Sequence, residues 1–172
     1  DGSQYPLCMP DLDEESLTKY ANNYIYEVDS FVDTDAEIII DKMPHNFLHV
    51  GLITQLFPES MIINCNRNPI DNCLSIYFQN FNDTHTYAND LSSIAHQYRA
   101  YMDLMKYWVS VLGDRIYTVE YESLVHDFDA QSKSLVDYCG IDWEESCSVF
   151  FKNKRHVSTA SQDQVIKPIY SS

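Results

Sequence analysis

Residues 61–78 read MIINCNRNPIDNCLSIYF, and the fold turns on how this stretch is parsed. Met61–Arg67 begins as an isoleucine-rich apolar run of the length and character of a buried strand. Within three residues a helix start follows: Asn68 can cap, Pro69 suits the first helical position, and Asp71 complements the positive end of the helix dipole. A strand that runs straight into a helix N-terminus is half of a strand–crossover–strand unit.

Reading outward supplies the rest of the pattern. Downstream, Leu91, Ile94, Ala95, Tyr98, Tyr101, Met105, Trp108 and Leu112 recur at helical spacing and are stopped by Gly113. RIYTVEYE (115–122) reads as a further strand, followed by two shorter helices, about Asp129–Cys139, closed by Gly140, and about Glu144–Lys152. Upstream, Pro58 ends a helix expected over His45–Phe57, whose apolar residues Phe47, Leu48, Val50, Leu52, Ile53 and Leu56 suit packing on a sheet. Before it, EIIIDKM (37–43) is a β-branched run read as a buried strand and ended by Pro44. Leu17, Tyr20, Ala21, Tyr24, Ile25, Val28 and Phe31 form an amphipathic helix behind the acidic start DLDEES. This alternation predicts an α/β fold, a parallel sheet flanked by helices, as a single domain over 1–172, with ligands outside the carboxyl ends of the strands. Both polar motifs, DKMPHN (41–46) and RNPIDN (67–72), fall at such ends.

Composition narrows the function. With 26 acidic against 11 basic side chains the formal net charge is −15, the wrong sign for a protein that must neutralise nucleic-acid phosphates over a broad face. The 45% apolar content is too rich for a disordered chain. No apolar run approaches the roughly 18 residues that span a bilayer, and Asp1–Pro10 lacks the character of a secretory signal. The four glycines, Gly2, Gly51, Gly113 and Gly140, form neither GxGxxG nor GxxxxGK[ST], so a phosphate site here must rest on side chains and helix N-termini, or on a part of the molecule that this chain lacks. That absence also argues against a nucleotide kinase. The five cysteines contain no CxxC pair and read as reduced, mostly buried thiols. His45 and His49 in HNFLH have metal-like spacing, but no glutamate or further ligand completes a site, and no metal is expected. Reduced cysteines and no signal point to the cytoplasm, with the Golgi lumen the alternative if a missing start carried an anchor. The sequon Asn82-Asp83-Thr84 is read as chance on the same ground.

An anion at the N-terminus of the helix opened by Asn68 and Pro69 would meet free backbone N–H groups, the helix dipole, the forked cation of Arg67 and the hydroxyl of Ser75 from the same helix. The competing reading pairs Arg67 with a neighbouring carboxylate and gives Ser75 no role. The residues alone leave both open.

The segments DKMPHNFLHVGLITQLFP (41–58), INCNRNPIDNCLSIYFQNF (63–81), VEYESLV (119–125) and VSTASQDQVIKPIY (157–170), in that order, resemble the sulfotransferase family. The likeness is nearest to the branch of protein-tyrosine sulfotransferases and of bacterial sulfotransferases with tetratricopeptide repeats. The resemblance implies a P-loop nucleoside triphosphate hydrolase-like fold and transfer of a sulfuryl group from the co-substrate 3′-phosphoadenylyl sulfate to a hydroxyl acceptor, protein tyrosine being one candidate. It implies that Arg67 and Ser75 hold the 3′-phosphate, that Lys42 lies beside the bridging phosphosulfate oxygens, and that Tyr121 lies near the nucleotide. Ser161 matches the family's transition-state serine, with Gln164, Val165, Ile166 and Lys167 lining the donor.

Lys42 and Ser161 suit a reaction that needs in-line geometry and donors where charge grows on a leaving phosphate oxygen. By analogy with phosphoryl transfer it needs no metal. A local positive patch around Lys42, Arg67 and Lys167 is expected within the acidic surface.

Family members begin with a strand and a Gly-rich loop resembling RSGTT, followed in the tyrosine-directed branch by an acidic base; nothing in Asp1–Ala36 matches. The expectation is therefore a domain lacking its first strand and loop, with its own activity in question. His45 is a candidate substitute base. An uncovered sheet edge implies either an incomplete gene product or a homodimer along that edge. The rival reading is a non-catalytic module that binds a 3′-phosphonucleotide or a protein partner.

Overall fold

The computed structural model describes residues 4–31, 38–79, 81, 83–152 and 167–169. The chain divides into two compact units, Asp1–Ser60 and Met61–Ser172, each taken by itself below.

In the first unit the acidic start opens a helix, as its sequence predicts. Helix α1 (Glu14–Asp29) begins at Asp13, whose carboxylate accepts the Ser16 N–H at 2.8 Å and is held below its ordinary pKa by the Ser16 side chain first and by this backbone bond second. A 3-10 turn (Asn46–Leu48) precedes helix α2 (Val50–Leu56), so the single helix expected over 45–57 is split. The break is at His49, whose φ of −115° and ψ of 7° lie outside the helical range. Val50 and Thr54 are the buried side chains of α2.

The expected strand at 37–43 is a correction. Residues 38–43 carry no regular structure, and the sheet among the described residues has two strands, neither of them here. β-branched residues favour extended backbone, but a strand exists only where a neighbour completes its ladder. Asp41 is held sideways instead: its carboxylate accepts the Tyr24 hydroxyl at 2.6 Å and the Asn46 amide at 3.4 Å. Burial and this contact push the Tyr24 hydroxyl up to about 12. The Tyr24 ring also packs on Phe57, with centroids 5.4 Å apart.

The second unit is the strand–crossover–strand unit. Strand β1 (Ile62–Asn66) leads into helix α3 (Pro69–Phe78); after a 3-10 segment (Asp83–Asn89), helix α4 (Leu91–Leu112) returns the chain to strand β2 (Ile116–Glu120). β1 and β2 pair in parallel, with Ile62 opposite Ile116 and Asn66 opposite Glu120. Asp90 caps α4 through the Ser93 N–H at 2.7 Å, and Gly113 ends it at φ 55°, a conformation open to glycine. Ile94, 1% exposed, and Met105 are the buried side chains of α4.

Helix α5 (Tyr121–His126) follows β2 without a linker, and helix α6 (Phe128–Tyr138) follows α5. The strand expected through Glu122 therefore stops at Glu120. YESLVH is too short to show a helical period, which is why its sequence does not announce α5. Residues Glu145–Lys152 form a 3-10 segment kinked at Val149 where a helix was expected.

Alternation along the strands places α4 and α6 on opposite faces. Tyr101 of α4 donates to Asn64 Oδ1 at 2.7 Å on one face, and Tyr117, one register step away, donates to Ser134 of α6 at 3.0 Å on the other. Tyr138 of α6 also reaches the Arg115 carbonyl at 2.7 Å and packs on the Tyr117 ring at 4.9 Å. The cysteines are less buried than expected: Cys65 is exposed and the other four are half-buried.

Candidate functional site

The carboxyl end of the two-stranded sheet is an elbow built from Asn66, Arg67 and Asn68 on one side and Glu120, Tyr121 and Glu122 on the other. The ladder ends at the Asn66–Glu120 pair, and the side chains continue it: Asn66 Nδ2 donates to both Glu120 carboxylate oxygens, at 3.1 and 3.0 Å. Asn66 Oδ1 accepts the Arg67 N–H at 3.1 Å. From α4, the Tyr98 hydroxyl donates to the Arg67 carbonyl at 3.3 Å. Burial first, then the charge around Cys73, Glu120 and Glu122, holds the Tyr98 hydroxyl above its ordinary pKa, so it remains a donor.

Asn68 caps α3 as the sequence predicts, its Oδ1 accepting from Ile70 N at 2.9 Å and Asp71 N at 3.3 Å. The Asn68 N–H itself is bound by Glu122 Oε1 at 2.8 Å, and this bond is the main reason the Glu122 carboxyl sits below its usual range, with Arg67 contributing. The expectation of free N–H groups awaiting an anion is thus corrected: these three are occupied by acceptors of the protein itself. Any anion recognition at this elbow falls to side chains.

The Arg67 side chain is placed for that task. Its guanidinium carbon lies 5.2 Å from the centroid of the Tyr121 ring, a cation–π arrangement. Its Nε is buried with no hydrogen-bond acceptor, and Arg67 forms no ion pair with a carboxylate among the described residues. The reading in which Arg67 is consumed by a neighbouring carboxylate therefore fails at contact distance. Buried donors are nearly always satisfied, and this guanidinium N–H is one that no described protein group satisfies. Ser75 is exposed on α3, seven residues beyond the cap and so within about 20° of the same azimuth, two turns along the helix. Its hydroxyl has no hydrogen bond to any described residue.

A family model described as "Sulfotransferase family" matches residues 6–145, most of the 172-residue chain. The chain belongs to the sulfotransferase family. An uncharacterized protein of Aquifex aeolicus (strain VF5) is 34% identical over 172 residues, which cover 98% of this chain and 22% of that protein. The sulfotransferase chain thus spans about a fifth of the length of the curated relative it matches.

Of the residues that the resemblance nominates, Arg67 and Tyr121 are in contact, and Ser75 lies on the helix that follows Arg67. Lys42 is exposed on the irregular segment 38–43 of the first unit, and the half-buried His45 lies near Phe47, with ring centroids 6.2 Å apart. Lys167 is exposed. Ser161, Gln164, Val165 and Ile166 lie outside the described residues. In the elbow the Arg67 cation stands among the hydrogen-bonded carboxylates of Glu120 and Glu122. Among the described residues no His, Cys, Asp or Glu cluster forms a metal site, and no helix is long and apolar enough to cross a membrane.

Sequence reading misses Asn66, Tyr98 and Glu122. Tyr98 reads only as part of an apolar helix face, which hides the fact that a half-buried tyrosine must still place its hydroxyl. Glu122 has a visible signal, its position beside Tyr121 at the carboxyl end of a strand.

Proposed function

We propose that this sulfotransferase-family chain takes part in sulfuryl transfer from 3′-phosphoadenylyl sulfate to a hydroxyl acceptor, with Arg67 and Ser75 holding the 3′-phosphate of the donor. The observation that carries the reading is the Arg67 guanidinium, backed by the Tyr121 ring and carrying a buried Nε with no acceptor. The donor set suits a phosphate: a planar fork that can meet two oxygens at once, and a hydroxyl on the adjoining helix. The donor nucleotide supplies the sulfuryl group and departs as a 3′,5′-bisphosphate.

The protein's work is positioning and neutralisation. Arg67 fixes the nucleotide end that does not react, and Tyr121 holds the guanidinium plane against rotation. Lys42 and Ser161 are assigned to the leaving phosphate oxygen, where donors aligned with developing charge count most. Gln164, Val165, Ile166 and Lys167 are assigned to the nucleotide. The P-loop type of fold and the single catalytic domain over 1–172 belong to the same proposal.

The test is calorimetric titration of the chain with adenosine 3′,5′-bisphosphate, beside adenosine 5′-monophosphate. Saturable binding that needs the 3′-phosphate, weakened roughly 30- to 150-fold by Arg67→Ala, is the expected result, since a lost charge-assisted hydrogen bond costs about 2–3 kcal/mol. Equal affinity for the two nucleotides, or indifference to Arg67→Ala, overturns the reading.

A further inference from the structure

The Arg67 backbone is held on every polar side. Asn66 Oδ1 takes its N–H, Tyr98 takes its carbonyl, and Glu122 takes the N–H of the next residue at 2.8 Å. The first two bonds come from β1 itself and from α4. Glu122 differs, because it ties the elbow to the element that carries the Tyr121 ring. Tyr121 and Glu122 are consecutive at the start of α5, where successive side chains diverge by about 100°. One helical step thus supplies the ring under the guanidinium and the carboxylate that grips the peptide after Arg67.

We infer that Glu122 is a positioning residue for Arg67, which aims the guanidinium at its anionic ligand by clamping the Asn68 amide onto the first turn of α5. The inference rests on the reading of Arg67 as the 3′-phosphate group. Without the clamp, the peptide 67–68 keeps only the long Tyr98 bond to its carbonyl, at 3.3 Å, and can tilt and carry the guanidinium off the Tyr121 face. A forked donor off by an ångström no longer meets two oxygens, so the loss falls on discrimination for the 3′-phosphate.

The experiment uses the full chain and two readouts. The first is the ratio of affinities for adenosine 3′,5′-bisphosphate and adenosine 5′-monophosphate. Glu122→Ala is expected to lower this ratio about tenfold, less than loss of the guanidinium itself, because the group that meets the phosphate is misaimed and not removed. Glu122→Gln keeps an oxygen for the Asn68 N–H and should restore the ratio to within about threefold of the parent. Glu122→Asp keeps the charge but is one methylene too short, and should behave as the alanine variant. A role in stability alone would shift the unfolding temperature and leave the ratio unchanged.

The second readout needs no nucleotide. In a proton–nitrogen correlation spectrum the Arg67 Nε–H signal, assigned by its loss in Arg67→Ala, should be displaced by the Tyr121 ring current. It should move to the position of a solvated arginine in Glu122→Ala and Glu122→Asp, and stay in Glu122→Gln. If Arg67→Ala leaves nucleotide discrimination intact, the reading of Arg67 fails, and this signal still decides whether Glu122 positions the side chain. If Arg67→Ala abolishes discrimination while the Glu122→Ala or Glu122→Asp protein keeps both the ratio and the signal, the inference is overturned and the reading of Arg67 stands. Where the alanine variant does not fold, the aspartate and glutamine pair separates the same two outcomes.

Discussion

Replacing Arg67 with methionine should leave the unliganded protein as stable as the parent or more so, while removing the 3′-phosphate recognition proposed for this residue. The buried Arg67 Nε has no acceptor, and an orphaned buried donor costs roughly 1–3 kcal/mol. Against this, the stack on Tyr121 at 5.2 Å contributes about 0.5–1 kcal/mol. Methionine keeps a flexible stem over the ring, and its sulfur–aromatic contact replaces about 0.3–1.5 kcal/mol of what the guanidinium gave. The balance lies between about 0.3 and 4 kcal/mol in favour of the variant, and each kcal/mol moves the thermal midpoint by about 2–4 °C in a chain of this size. Affinity should move the other way, by roughly 30- to 150-fold against adenosine 3′,5′-bisphosphate, with adenosine 5′-monophosphate unaffected. Thermal unfolding followed by circular dichroism and nucleotide titration on the same preparations give both numbers. A variant destabilised by more than about 1 kcal/mol without ligand would mean that Arg67 holds the elbow together, and the argument from its orphaned Nε would be wrong.

Two further outcomes follow from the packing. Ile94→Ala empties the most deeply buried large side chain, at 1% exposure, and should cost about 2–5 kcal/mol in equilibrium denaturation, whereas Ile70→Ala, at 69% exposure, should cost under about 0.5 kcal/mol. In the first unit, the Tyr24 hydroxyl has an ordinary pKa of 10.0 and a folded value of about 12. A raised folded pKa stabilises the fold fully below the unfolded value and is lost as pH rises through the folded one. The Asp41 contact should therefore weaken between pH 10 and about 12, seen as a late tyrosinate absorbance step that Tyr24→Phe removes.

Where one residue's chemistry decides local structure, the sequence is legible. Asn68 with Pro69, Asp90 with Gly113, and Asp13 before Glu14 fix helix ends within a turn, because capping and glycine stops act over three or four residues. The β1–α3–α4–β2 unit is readable for the same reason. Residues 38–43 mislead because a strand is a property of two segments. Ile38, Ile39 and Ile40 carry the propensity, and the described residues provide no ladder for them. The divided helix at 46–56 and the short α5 fall in the same class, set by local geometry that a period of 3.6 residues does not register over six or seven positions.

The site is legible in its residue types and illegible in its electrostatics. From the sequence, the start of α3 reads as an anion site, since the dipole and unpaired N–H groups of a helix N-terminus attract negative charge. Folding brings Glu122, 54 positions away from Asn68, onto one of those N–H groups, while the Asn68 side chain covers two more. The protein's own carboxylate thus takes up the attraction that the helix end would have offered to a ligand. What remains for a ligand is the guanidinium that this carboxylate does not engage at contact distance. A dipole draws any anion, whereas a guanidinium seated over a tyrosine ring favours one whose oxygens match its fork. Occupying the helix end with Glu122 therefore shifts the elbow from general attraction toward geometric selection by the guanidinium fork.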